Sequence, residues 1–308
     1  MSENPRKALL PRSQLDCYRI VRLIGSGGFS LIYLARDEET QDEVAIKEYF
    51  PKQYATRDNE YGVTVIDEKR MTSFNRGLKL FFLEAKALAN LRHPNIVNVR
   101  NCFIDNDSAY LVMDYEPGKN LGTYIKKRQG GLSTNFIMTV FPPLLDALNL
   151  MHSQQHLHLD IKPGNIHLRP GGNPLLLDFG AVHQISDEPE TMHKSQIITP
   201  GFSPVEQYYA KGNIGAWSDV YAVGATMRAC LDGKPPPAST DRDAGKENLQ
   251  PAVEKYIDRY PRWLLECVDW AMEIDAFQRP ASAADLRDAL LEQSGRPDVD
   301  SPTETELS

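Results

Sequence analysis

The sequence predicts an α+β chain, with a smaller β-rich first part carrying one helix and a larger, mostly α-helical second part. Three observations predict it. Before residue 116 the apolar residues fall in short alternating runs. A single helical period interrupts them at 73–91. After "EPGKN" (116–120) helical periods dominate.

The elements follow in order. "CYRIVRLI" (17–24), "SLIYLARD" (30–37) and "EVAIKEYF" (43–50) read as strands, with the polar "RDEETQDE" as the link between the last two. Residues 51–72 show no strong period. In 73–91, "SFNRGLKLFFLEAKALANL", the residues Leu80, Leu83, Ala87, Leu88 and Leu91 fall on one helical face. "HPNIVNVRNCFID" and "SAYLVMDY" read as two further strands. Helices are expected at 120–128, 133–153, 216–231, 251–274 and 281–292. Residues 1–14 read as a polar leader. Residues 292–308 hold five acidic residues, one basic residue and two prolines, and read as a disordered acidic tail from about 293.

Composition narrows the function classes. The 308 residues are 41% hydrophobic and 25% charged, which is ordinary for a globular chain, and long enough for two lobes. The net charge of −8 argues against a nucleic-acid partner, which would demand a basic patch. The four cysteines, Cys17, Cys102, Cys230 and Cys267, form no C-x-x-C pair and read as reduced thiols of a cytoplasmic protein. "MSENPRKALLPR" lacks the apolar core of a signal peptide, and no apolar run reaches the roughly 18 residues of a membrane span.

Four stretches carry chemistry. "GSGGFS" (25–30) lies between two strand-like runs, where glycines let backbone N–H groups approach phosphates. A strand follows it, so a hairpin lid fits better than a loop that opens a helix. "VAIK" (44–47) ends a buried-strand pattern in Lys47, and Glu84 on the following helix is a suitable partner for that ammonium. "LLLDFG" (175–180), an apolar strand ending in Asp178, places a carboxylate suited to Mg²⁺, with Asn165 as a second oxygen donor. "HLHLDIKPGN" (156–165) opens like an H-x-H-x-D zinc motif, but Ile161 stands where such a motif continues with histidine. The other reading makes Asp160 a base, Lys162 a phosphate-stabilising cation and Asn165 a metal ligand.

The order of these pieces, with "HPNIV" after Glu84, "SPVEQ" (203–207), "SDVYAVG" (218–224) and "QRP" around Arg279, resembles the protein kinases over about residues 15–292. "KEYFP" and "SPVEQY" look most like the eukaryotic-type (Hanks-type) serine/threonine kinases of bacteria. The resemblance implies a bilobal protein-kinase fold, with an N-lobe at about 15–113, a hinge at 114–118 and a C-lobe at about 119–292. It implies transfer of the γ-phosphoryl group of ATP to protein hydroxyls, with Mg²⁺ or, in its place, Mn²⁺.

The residue roles follow from the same resemblance. Lys47, held by Glu84, would contact the α- and β-phosphates, and Gly25, Ser26, Gly27 and Gly28 would cover them. Ile32 and Ala45 would wall the adenine, Met113 would be the gatekeeper, and Asp114 and Tyr115 would offer backbone to the base edge. His167 occupies the position under the adenine. Asn165 and Asp178 would hold the metal. Asp160 would accept the substrate proton, Lys162 would stabilise the phosphoryl group, and Thr199 would bond both. Asp219 would brace the catalytic-loop backbone, and Arg279 would pair with Glu206. A pseudokinase scaffold and a small-molecule phosphotransferase are the alternatives.

Two departures matter. About 36 residues separate Lys47 from Glu84, and "YGVTVIDEKR" among them could form an extra hairpin, either a plain loop insertion or a docking element. Leu159 stands where most members carry the arginine that reads an activation-loop phosphate. Ser186, Thr191 and Ser195 are the candidate self-phosphorylation sites. Because leucine cannot bind a phosphate, replacing these three hydroxyl residues together with alanine should leave most of the phosphoryl-transfer rate. Near-complete loss of that rate would refute the expectation.

Overall fold

The computed structural model describes residues 8–177, 183–184, 198–210 and 212–294. The chain divides into two compact units. One comprises residues 1–93 and 97–116, the other residues 94–96 and 117–308.

The first unit is built on a six-stranded antiparallel sheet. Its strands are β1 (Gln14–Leu15), β2 (Tyr18–Ser26), β3 (Ser30–Asp37), β4 (Glu43–Tyr49), β7 (Val99–Asp105) and β8 (Ser108–Asp114), in the spatial order β1-β2-β3-β4-β8-β7. The stretch read as a leader contributes to the sheet and its core where it is described. Leu9 is buried, and Gln14 and Leu15 pair with Arg19 and Tyr18. The stretch without a period holds a second hairpin, β5 (Ala55–Arg57) with β6 (Val63–Val65). The strand expected to start at His93 starts at Val99; before it, the Asn95 carbonyl accepts the Leu176 N–H at 2.8 Å and Ile96 bridges to Leu176.

Helix α1 (Met71–Ala89) buries Leu88 of the face the leucine spacing suggested, and Leu91 lies buried just past its end, but the rest of its buried face is turned away from Leu80 and Leu83. Leu80 and Leu83 are 40% and 53% exposed, whereas Phe74, Phe81, Ala85 and Leu88 are buried. The aromatic ring of Tyr49, at the end of β4, selects that face. It packs 5.3 Å from Phe74 and 5.9 Å from Phe81, centroid to centroid. Gly77 lies beneath it, and a methyl group there would overlap the Tyr49 hydroxyl.

The second unit is mainly helical. Short β9 (Lys119–Asn120) leads into α2 (Leu121–Arg128), whose first turn is capped by Asn120 through a 2.8 Å bond from the Thr123 N–H. Helix α3 (Thr134–Ser153) is capped by Ser133 and continues through Pro142 and Pro143. Strands β10 (His156–Leu157), β11 (Ile166–Leu168), β12 (Pro174–Leu176) and β13 (His183–Gln184) form two small sheets, with β10 beside β13 and β11 between β12 and β9. Helix α4 (Ala216–Asp232) is buried from Ser218 to Leu231 and ends at Gly233, whose φ of 76° gives a left-handed cap. A short α5 (Ser239–Asp243) follows. The helix expected over 251–274 is two helices, α6 (Ala252–Tyr256) and α7 (Arg262–Ala271). Pro261 separates them, since the residue before a proline is driven out of helical geometry. Helix α8 (Ala283–Ser294) packs on α3 and α7.

Gly77→Ala tests the packing of α1. Helix propensity alone favours alanine by about 1 kcal/mol. Overlap with Tyr49 should reverse the sign and give a net loss of roughly 1–3 kcal/mol in urea unfolding. A stabilised variant would contradict the packing described.

Candidate active site

In the first unit, strand pairing places the expected nucleotide residues on one sheet face. Gly25 pairs with Ile32, Ile32 with Lys47, and Ala45 with Met113. Directly opposed residues of an antiparallel pair point to the same side, so Ile32, Ala45, Lys47 and Met113 share a face. Lys47 is buried, with its ammonium 5.5 Å from the centre of the Phe81 ring of α1. Glu84 lies on α1, three residues after Phe81. Its side chain, like all of Asp178, lies outside the described residues.

The glycine-rich stretch is a hairpin. The Gly27 N–H donates to the Ser30 carbonyl at 2.8 Å. The tip is also tied to the chain beyond β4: Phe50 N–H donates to Phe29 O at 2.8 Å, and Lys52 N–H to Gly28 O at 3.0 Å. The Lys52 ammonium sits on Ser26 Oγ. Nothing in the sequence pattern pointed to Lys52. At the end of β8, the Asp114 carboxylate accepts from Arg100 Nε (2.5 Å) and Asn98 Nδ2 (2.9 Å), and its N–H donates to Asn98 O. The carboxylate and the N–H of Asp114 are thus both engaged within the first unit. Tyr115 follows it and is half-buried.

In the second unit, Asp160, Lys162, Asn165 and Thr199 converge. Lys162 Nζ donates to both Asp160 oxygens, at 2.9 and 2.7 Å, and to Thr199 Oγ1 at 3.2 Å. Thr199 Oγ1 donates to Asp160 Oδ1 at 2.7 Å. Asn165 Nδ2 donates to the Asp160 carbonyl at 2.8 Å and to Oδ2 at 3.0 Å. The amide nitrogen of Asn165 is thereby fixed toward Asp160, which leaves its oxygen as the atom that could meet a metal ion. That donor chemistry fits Mg²⁺, which takes hard oxygen ligands. His167 lies on β11 opposite Leu175 and Asn120 and is half-buried.

The loop carrying Asp160 is clamped from behind by a buried carboxylate. Asp219 on α4 accepts the N–H groups of His158 (2.9 Å) and Leu159 (2.8 Å), and His152 Nε2 lies 2.8 Å from it. Burial alone would raise the Asp219 pKa. The His152 bond and the backbone donors outweigh that and hold it below the usual carboxylate range. Leu159 is left-handed, with φ at 57°, a conformation that costs a leucine about 1–2 kcal/mol. Gln207 Nε2 donates to its carbonyl at 2.9 Å, so both sides of the residue are fixed. The side chain of Leu159 packs with Leu157 and Ile214. His152 and Gln207 are functional neighbours that sequence reading missed, because their partners lie about 50 or more residues away.

The zinc reading of "HLHLD" has no support. The His158 Nδ1 accepts the Asp160 N–H at 3.3 Å, and its Nε2 faces Leu177 O at 3.4 Å. Among the described residues no group of three or more His, Cys, Asp or Glu could hold a metal ion.

Behind the loop, Arg279 meets Glu206 through two bonds, at 2.8 and 3.1 Å, and its remaining donors reach the carbonyls of Glu273, Ile274 and Trp217. The pair is buried and satisfied on every side, which is the condition for such a pair to be tolerated.

Comparison with known proteins agrees with this architecture. A family model described as the protein kinase domain matches residues 18–293. The chain therefore belongs to the protein kinase family. It is 30% identical over 274 residues to serine/threonine-protein kinase PrkC of Bacillus subtilis, covering 87% of this chain and 39% of PrkC. It is 32% identical over 287 residues to serine/threonine-protein kinase D of Synechocystis, covering 90% of this chain and 52% of that protein. The chain thus spans about half the length, or less, of these relatives. A solved structure, the apo form of PpkA-294, superposes with a TM-score of 0.82 at 31% identity, covering 92% of this chain and 99% of the other.

Asp219→Asn tests the clamp. An amide cannot accept all the bonds made here, and the cost should be roughly 2–4 kcal/mol in urea at pH 7. A group with a lowered folded pKa stabilises above its unfolded value of about 3.9, and that contribution is lost as pH falls through the folded pKa. The gap between the wild type and the variant should therefore be full at neutral pH and shrink in strong acid. A gap independent of pH would overturn the assignment.

Proposed function

We propose that this chain is an ATP-dependent serine/threonine protein kinase. The observation that carries the reading is the convergence of Lys162, Asn165 and Thr199 on the Asp160 carboxylate. A carboxylate fixed by three donors is held in one orientation, as a group that must meet a substrate hydroxyl needs to be.

Asp160 orients that hydroxyl and takes its proton. Lys162, beside both Asp160 oxygens, offers its positive charge to the transferring phosphoryl group. Thr199 holds the two together. Lys47, for which the family pattern supplies Glu84 as partner, binds the α- and β-phosphates, and the hairpin of Gly25, Ser26, Gly27 and Gly28 covers them. Ile32 and Ala45 flank the adenine, with Met113, Asp114 and Tyr115 along its edge and His167 beneath it. Asn165 and Asp178 would hold Mg²⁺, or Mn²⁺ in its place, which when bound would neutralise charge spread over the phosphoryl oxygens. Lys162 two residues after the base resembles serine/threonine rather than tyrosine kinases.

The substrates are proteins, this chain included, with Ser186, Thr191 and Ser195 as acceptors. Leu159 packs among apolar side chains and offers no charge to an activation-loop phosphate. Activity therefore depends weakly on phosphorylation there. The four cysteines are free thiols, in keeping with a cytoplasmic setting. Among the described residues no helix is long and apolar enough to cross a membrane.

The test is incubation with radiolabelled ATP and Mg²⁺, with and without a generic protein acceptor. Label should appear on serine or threonine and fall by about 10²–10⁴-fold in Asp160→Asn. Nucleotide binding without label on any protein would favour a scaffold or a small-molecule phosphotransferase.

A further inference from the structure

We infer that the hairpin β5–β6 is a positioning element for Lys47, acting through an ion pair between Arg57 and Glu48. The inference rests on the reading of Lys47 as a phosphate-binding residue.

Strand β4 has two faces. Lys47 and Ala45 lie on one, with Ile32 and Met113. Glu48 and Ile46 lie on the other, with Tyr110, Val112 and Tyr33. Glu48 is the direct neighbour of Lys47 and is fully buried. Its carboxylate makes four short bonds. Oε1 accepts from the Tyr110 hydroxyl (2.6 Å) and Arg57 Nη2 (2.8 Å), and Oε2 from the Tyr33 hydroxyl (2.7 Å) and the same Nη2 (2.6 Å). Two strands of the main sheet supply the hydroxyls. The inserted hairpin supplies the positive charge, from an arginine side chain 2% exposed.

Arg57 is itself fixed. Nη1 donates to the Tyr61 carbonyl at 2.7 Å, and the guanidinium lies 5.3 Å from the centre of the Phe50 ring. The hairpin is anchored again where Val63 N–H donates to Asn106 O at 2.8 Å, in the turn between β7 and β8. A buried carboxylate without a cation is costly, and hydroxyls alone do not balance it. Were Arg57 lost, the Glu48 carboxylate would turn toward water. Turning rotates β4, and the next side chain along that strand is Lys47.

The same insertion also reaches the glycine-rich hairpin, through Phe50 on Phe29 and Lys52 on Gly28 and Ser26. Residues 50–66 thus support both the proposed phosphate-binding lysine and the proposed phosphate lid.

The test compares the full chain with Arg57→Met and Arg57→Lys. Two quantities are read at a temperature where circular dichroism reports a folded protein. One is KM and kcat for ATP. The other is the acylation rate of the Lys47 amine by an amine-reactive ester, followed by mass spectrometry with exposed Lys69 as internal reference. Arg57→Met should raise KM for ATP and the labelling of Lys47 by about tenfold each, with Lys69 unchanged, because small displacements of a positioned group are costly. Arg57→Lys should recover most of both. If Arg57→Met does not fold, Arg57→Gln, which keeps an N–H donor but drops the charge, is read in the same way. KM and Lys47 labelling within about twofold of wild type in the folded variant would overturn the inference and leave the hairpin a purely structural addition. Absence of phosphoryl transfer by the wild type would instead refute the kinase reading, and the labelling comparison would still decide the role of Arg57.

Discussion

The candidate catalytic loop depends on one buried carboxylate. Asp219 accepts the N–H groups of His158 and Leu159 and holds Leu159 in a left-handed conformation it would not otherwise adopt. The residue after this strained peptide is Asp160. A change of conformation at Leu159 would swing Asp160 away from Lys162, Asn165 and Thr199. Hydrogen bonds to a buried anion, each worth about 1.5–3 kcal/mol, suffice to offset a strain of about 1–2 kcal/mol. Gln207 adds a bond to the Leu159 carbonyl, from the segment that also provides Glu206.

Glu206, Arg279 and Ser218 extend this frame. Ser218 Oγ donates to Glu206 Oε1 at 2.8 Å, one residue before Asp219. The clamp on the loop and the buried ion pair are therefore carried by the same first turn of α4. Glycine at 215 and the buried face of α4 fix that turn in the core. Polar contacts of this kind stay strong because water is excluded from them.

In the first unit a second buried carboxylate, Glu48, serves the opposite sheet face. It ties three non-adjacent pieces of chain to β4: Tyr33, Tyr110 and the inserted Arg57. Both units thus place a buried, fully hydrogen-bonded acid directly behind a residue proposed to meet the nucleotide or the substrate. Such acids contribute less through net stability than through the unique arrangement they impose.

The sequence by itself determined the α+β order of elements, the family, and the residues Asp160, Lys162, Asn165 and Thr199, because those lie in short motifs whose spacing is local. It also exposed the pairing of Glu206 with Arg279 through the family pattern. It placed Leu88 and Leu91 in the core but wrongly added Leu80 and Leu83, since leucine spacing does not reveal that Tyr49 will cover Phe74 and Phe81 instead. It read 251–274 as one helix despite Pro261, whose local veto outweighs the apolar period. It gave no role to Arg57, Lys52, His152 or Gln207. The partners of these residues are 9, 26, 67 and 48 positions away, on other elements. Local pattern fixes which backbone segments form, but which charge finds which buried partner is decided only when burial removes water as the alternative.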